Sequence, residues 1–343
     1  MANKTPDIRM PPSIQNMSGD IRKVGVEIEF AGLSSKQAAQ LVAECFGGVV
    51  KLGDTPFVFS VEDTKWGDFR IELDTRFVHP EKDLADALEE SGLSVNDENV
   101  QLVRDMDAQV REWVGKAAAG MVPTEIVSPP MALNELGMFS GLLESLRAHN
   151  AKGTDDGLMY SFGVHLNPEV ACEDVDYLLA ILRAYVLLSD WLRDQIDIDP
   201  TRKILPHIDP FPQSFAVKIL DSDYAPNLDA LIKDYFAMNP TRNRELDMLP
   251  LFKHLAPEVL ARLTDDERIK ARPTFHYRLP NTFLSDPDWS VAQEWNRWVA
   301  VEFLAADADN LRHLADRYLA QADGPITERL KEVRLWFKNL TNP

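Results

Sequence analysis

The run Val24-Gly25-Val26-Glu27-Ile28-Glu29-Phe30 alternates apolar and acidic residues. A period of two marks a strand buried on one face only. Val26, Ile28 and Phe30 then face a core, while Glu27 and Glu29 share the other face about 6.7 Å apart. Long glutamate arms that lean together to about 5 Å repel by roughly 3 kcal/mol at an effective dielectric of about 20. A cation between them, or a pair of cations about 3.5–4 Å apart, removes that repulsion. A half-exposed strand with an acidic outer face explains the same seven residues without any ligand. The choice rests on the other motifs.

The flanking sequence builds an α+β domain around this strand. Ser34 and Ser35 can cap a helix through Lys36–Phe46, and Gly47-Gly48 ends it. Val49–Leu52 and Phe57–Glu62 read as a strand pair, followed by a strand at Phe69–Leu73. Such a start predicts a mainly antiparallel sheet. Residues 80–120 are acidic, helix-favouring and free of strand signals, a helical insertion. A strand at 124–128 is stopped by Pro129-Pro130. The spacing then predicts a helix over 133–149, a strand over 158–167 and a core helix over 174–194. A Pro- and Asp-rich stretch at 196–226 reads as a binding loop. A helix at 228–237, a strand at 274–279 and helices at 290–304, 309–320 and 326–339 follow, with Trp289, Trp295 and Trp298 as core. Residues 1–20 read as a flexible arm, and 21–343 as one domain.

Charge narrows the function. A formal net charge of −19 argues against direct binding of nucleic acid or anionic membrane, which needs basic patches. Cys45 and Cys172 are the only cysteines, with neither CxxC nor zinc-ligand spacing. Residues 1–20 carry no apolar signal-peptide core, and no run reaches the length of a membrane span. The expectation is a cytoplasmic protein. The sequence has no GxxxxGK[ST], no GxGxxG after a strand and no HExxH.

Four segments place acids, His or Arg on strands near turns: Gly25–Glu29, Thr124-Glu125-Ile126-Val127-Ser128-Pro129, Gly163-Val164-His165-Leu166-Asn167-Pro168, and Phe275-His276-Tyr277-Arg278-Leu279-Pro280-Asn281. Singly, His165 reads as a structural histidine and Arg278 as a salt-bridging arginine. As an ordered set, over residues 23–281, they resemble the amidoligase group of carboxylate–amine ligases, of the glutamine synthetase and gamma-glutamylcysteine synthetase type. That family carries ExE on its first strand, a Glu before a Ser/Thr-Pro turn, Gly-x-His-x-Asn/His, and a late Glu-x-Arg.

The resemblance implies a curved antiparallel sheet with helices on one side. It implies ATP held by Mg²⁺ or Mn²⁺, with Glu27, Glu29, Glu125 and His165 as metal ligands, Asn167 beside them, and Arg278 on the transferred phosphate. Where the family has an acid two residues before the arginine, this chain has His276, an imidazole that still suits Mn²⁺ and suits Mg²⁺ less well. The implied reaction makes an acyl phosphate that an amine attacks, with an amino acid or peptide carboxylate and an amine as substrates. Asp63 and Glu72 are candidates for binding the amine or acting as general base, with salt bridges to Lys65 or Arg70 the alternative. Arg242 and Arg244 are candidates for phosphate or substrate carboxylate; pairing with Glu245 and Asp247 is their alternative. Arg202 and Lys203 are weaker candidates. Two other readings stand beside the ligase: a metal-dependent phosphotransferase of the guanidino kinase type, and a non-catalytic ligand-binding relative.

Overall fold

The computed structural model describes residues 7–54, 57–73, 123–154, 162–196, 208–320, 333, 335 and 336. The strands are β1 (Lys23–Phe30), β2 (Val49–Leu52), β3 (Val58–Thr64), β4 (Gly67–Leu73), β5 (Thr124–Val127), β6 (Met131–Ala132), β7 (Val164–Pro168), β8 (Leu246–Asp247) and β9 (His276–Tyr277). The helices are α1 (Ser35–Phe46), α2 (Phe139–Ala148), α3 (Val175–Ile196), α4 (Gln213–Leu220), α5 (Leu228–Met238), α6 (Leu249–Leu255), α7 (Pro257–Leu260), α8 (Val291–Ala306) and α9 (Ala308–Ala320). The strands form one sheet in the order β2-β3-β4-β5-β1-β7-β9-β8, with β6 beside the start of β1. Each pairing between these strands is antiparallel. The result is a mixed α/β molecule built on a large antiparallel sheet.

The alternation in β1 becomes a division of the sheet into two chemistries. Val24, Val26, Ile28 and Phe30 are fully buried in the apolar core. Helices pack on that face. Phe69 of β4 stacks on Phe46 of α1 at 5.1 Å between ring centroids. Tyr277 of β9 lies 5.9 Å from Tyr185 of α3 and 5.5 Å from Trp298 of α8. Trp289, Trp295 and Trp298 are core residues, as their spacing suggests. The even-numbered residues of β4 and the odd-numbered ones of β1, β5 and β7 fall on the opposite face, which collects the polar side chains.

Local chemistry sets the strand ends. Ser34 and Gln37 form a capping box on α1, the Ser34 hydroxyl accepting from the Gln37 backbone amide and the Gln37 side-chain Oε1 accepting from the Ser34 backbone amide. Gly48 has φ +92°, and a Cβ there would stand 2.4 Å from the Glu62 carbonyl oxygen, so only glycine lets β2 lie against β3. Ahead of β1, Arg22 is fully buried and forms an ion pair with Glu302 of α8.

Several segments depart from the sequence reading. The helix expected over 133–149 begins as a 3₁₀ turn, Leu133–Met138, before α2. The stretch expected as a loop over 196–226 contains α4, whose Phe215, Ala216, Ile219 and Leu220 are buried. Within the segment read as a flexible arm, Arg9 contacts α8. The Arg9 amide donates to Asn296 Oδ1 at 2.8 Å, and the Arg9 carbonyl accepts from Trp295 Nε1 at 2.9 Å. The insertion at 80–120, Arg202, Lys203 and the body of the helix expected at 326–339 lie outside the described residues. Among the described residues, no helix is long and apolar enough to cross a membrane.

Candidate metal centre

Strand register assembles the polar face in rows. Glu72, Glu125 and Glu29 face one another across β4, β5 and β1. One row along, Glu27 faces His165 across β1 and β7. The Leu166–Tyr277 pairing of β7 with β9 brings Arg278 level with His165 and His276 level with Asn167. Asp247 faces His276 from β8. Glu27, Glu29, Glu125, His165, Asn167, His276 and Arg278 are each buried, and Asp247 is fully so.

Within this set two groups of three side chains bring ligand atoms within 4.8 Å of one another: Glu27 with His165 and His276, and Glu29 with Glu125 and His165. These five are the residues the sequence singles out as metal ligands. His165 belongs to both groups and sits between them. Its Nδ1 lies 2.9 Å from Glu27 Oε2, while its Nε2 is 3.9 Å from Glu29 Oε1. With the proton on Nδ1, the ring donates to Glu27 and turns the Nε2 lone pair towards Glu29. A carboxylate behind a histidine fixes the ring and raises its basicity as a ligand. Glu29 is oriented from its other oxygen, since Oε2 accepts from the Gly163 amide at 2.9 Å.

Glu27 is held just as firmly. Its Oε1 accepts from Asn167 Nδ2 at 3.0 Å and from Arg272 Nη1 at 3.2 Å. Burial alone would raise its pKa, yet the hydrogen bond from His165 and the nearby His276, His165 and Arg272 hold it well below the usual carboxylate range. His276 stands 3.7 Å from Asp247 Oδ2 through Nδ1 and 3.9 Å from Glu27 Oε2 through Nε2, beyond hydrogen-bond reach. Both ring nitrogens and Asp247 Oδ2 are buried with no hydrogen-bond partner among the described residues. Burial pushes His276 down to about 4 in spite of Asp247 and Glu27, so its ring is neutral at pH 7 with a lone pair to offer.

This donor set fits a divalent cation. Ligands around a six-coordinate ion at about 2.1 Å stand about 3.0–4.2 Å apart, a range that takes in the 3.9 Å separations of His165 Nε2 from Glu29 and of His276 Nε2 from Glu27. Buried polar atoms without partners, as on His276 and Asp247, are costly unless something binds them. Carboxylates mixed with imidazole favour Mg²⁺ or Mn²⁺, and the two imidazoles shift the balance to Mn²⁺.

The arginines and remaining acids separate by position. Arg278 donates through Nη1 to the Arg242 carbonyl at 2.6 Å, tying the 240–244 loop to the sheet. Arg242 itself lies beside the site, its Nε 3.6 Å from Asp247 Oδ2. Arg244 reaches away to the Pro210 carbonyl at 2.7 Å. Glu245, the alternative partner of these arginines, is instead paired with Arg193 and Ser189 of α3. Glu72 is on the polar face in line with Glu125, and its carboxylate is held by Arg70 at 2.6 Å. Asp63 is exposed, at φ +61° on an irregularity at the turn end of β3, and belongs to neither ligand group. Asn167 links Glu27 to Arg272. The sequence reading missed Arg272 and gave Asp247 no site role, because neither lies in one of the four motifs.

A family model described as "Putative amidoligase enzyme" matches residues 20–300. No curated protein and no solved structure matches the chain.

Proposed function

We propose that this chain, which belongs to the amidoligase family, is an ATP-dependent carboxylate–amine ligase acting on the polar face of a glutamine synthetase-like sheet. The family points to a ligase, and the observation that carries the finer reading is the pair of ligand groups sharing His165, with Arg278, just past β9, level with that histidine. Glu27, Glu29, Glu125, His165 and His276 would hold Mg²⁺ or Mn²⁺. Such an ion would supply positive charge to offset that of ATP phosphates during phosphoryl transfer.

The protein's own groups supply position and charge. Arg278, buried and anchored by its bond to the Arg242 carbonyl, presents a guanidinium suited to phosphoryl oxygens. Arg242 is the second cation beside the same strand. A substrate carboxylate takes the γ-phosphoryl, ADP leaves, and an amine attacks the acyl carbon with loss of phosphate. Glu72, in the row of Glu125 and Glu29, would take the proton the amine sheds. No covalent enzyme intermediate is needed. His276 in place of the family's acid lowers the negative charge of the Glu27 group by one and favours Mn²⁺ over Mg²⁺.

The test is phosphate release from ATP with Mn²⁺ or Mg²⁺ across paired amino acids, short peptides and amines. Release that needs both a carboxylate and an amine, with Mn²⁺ the better ion, is the expected result. A phosphorylated product that accumulates without amine would favour a phosphotransferase. Absence of nucleotide binding by calorimetry would remove both.

A further inference from the structure

Arg272 reaches the Glu27 ligand group from the solvent side. Its side chain is 44% exposed, whereas that of Glu27, which it contacts, is 10% exposed. It therefore spans the boundary between solvent and the buried ligand set. Its backbone is fixed: the Arg272 amide donates to the Pro250 carbonyl at 3.1 Å, and the Pro273 carbonyl accepts from the Val170 amide at 3.0 Å. Only Nη1 is engaged, reaching Glu27 Oε1 at 3.2 Å and Asn167 Oδ1 at 3.3 Å. Nε and Nη2, the side edge of the guanidinium, have no partner among the described residues. That edge carries the two parallel N–H groups that match an oxyanion. A chain with a net charge of −19 must place cations locally wherever it admits an anion.

We propose that Arg272 is an oxyanion anchor at the mouth of the site, holding Glu27 with Nη1 and a phosphate or carboxylate group of a substrate with its Nε–Nη2 edge. The inference rests on the ligase reading for what the anion belongs to, but the anchor itself is a property of this guanidinium. A role confined to neutralising Glu27 would leave the outer edge unused and would make no demand for an anion.

Phenylglyoxal labelling of Arg272 in the full-length, metal-stripped protein, mapped by peptide mass spectrometry, tests the anchor directly. Labelling is compared in inorganic phosphate, in acetate and in chloride of equal ionic strength. At least a threefold slowing by phosphate or by acetate, relative to chloride, is expected, and the more effective anion identifies the source. Equal labelling in all three overturns the proposal. In the turnover assay, Arg272→Gln is expected to raise KM about tenfold for the matching substrate, ATP if phosphate protects or the carboxylate if acetate does, with kcat within threefold. Arg272→Lys, which keeps the charge and loses the paired edge, should recover only part of that KM. An unchanged KM in Arg272→Gln likewise overturns the anchor. Protection of Arg272 in a protein that turns over no ATP would sink the ligase reading and leave the anchor standing.

Discussion

Replacing Arg22 with methionine is expected to lower the unfolding free energy by about 3–5 kcal/mol. Arg22 is fully inaccessible, and Glu302 is 4% exposed. The guanidinium donates to both oxygens of Glu302, at 2.7 and 2.9 Å, and to the carbonyls of Ser13 and Glu169, each at 2.7 Å. Trp298 Nε1 also donates to Glu302 at 2.7 Å. Without Arg22 that carboxylate stays buried with one neutral donor and no counter-charge, and this unpaired charge is the source of the loss. The double variant Arg22→Met/Glu302→Met removes both charges and should be more stable than Arg22→Met alone. Urea denaturation of the three proteins measures it. A change below about 1 kcal/mol in Arg22→Met would show that the pair does not hold β1 to α8.

A second large effect is expected at His165. This ring offers Nε2 beside Glu29 and holds Glu27 through Nδ1, so His165→Ala should weaken Mn²⁺ binding by roughly 100-fold or more, beyond what loss of an outer partner alone costs. His276→Ala removes a ligand from the Glu27 group only, so one Mn²⁺ should still bind through Glu29, Glu125 and His165. Titrations followed by the electron paramagnetic resonance of free Mn²⁺ give both affinity and stoichiometry. His165→Ala binding Mn²⁺ within threefold of the wild type would mean that the ion, if bound, sits elsewhere.

The parts of the fold that were legible in the sequence share a cause. β1 could be read because one face packs against helices and the other does not, so the alternation is strict from Val24 to Phe30. The convergence of Glu27, Glu29, Glu125 and His165 could be read because they lie on paired strands, where register converts ordered motifs into neighbours. α4 escaped notice because it is 8 residues long and enclosed by Pro- and Asp-rich sequence, which hides a short apolar stripe. β9 is only His276–Tyr277, shorter than the apolar run around it suggests. Isolated bridges of Thr274 to Glu169 and of Asn281 to Gly163 flank it. Arg272 lies in irregular chain ahead of a strand, where no periodicity operates. Asp247 drew attention only as a partner for arginines, since its place beside His276 depends on a pairing between β8 and β9 that spacing does not encode.

Anomalous diffraction at the manganese edge, from crystals grown with Mn²⁺ and a non-hydrolysable ATP analogue, tests the central claim most directly. The account predicts manganese bounded by Glu29, Glu125 and His165, with a second ion at Glu27 and His276 and the γ-phosphate against Arg278. Manganese and nucleotide bound away from the polar face of the sheet would contradict it.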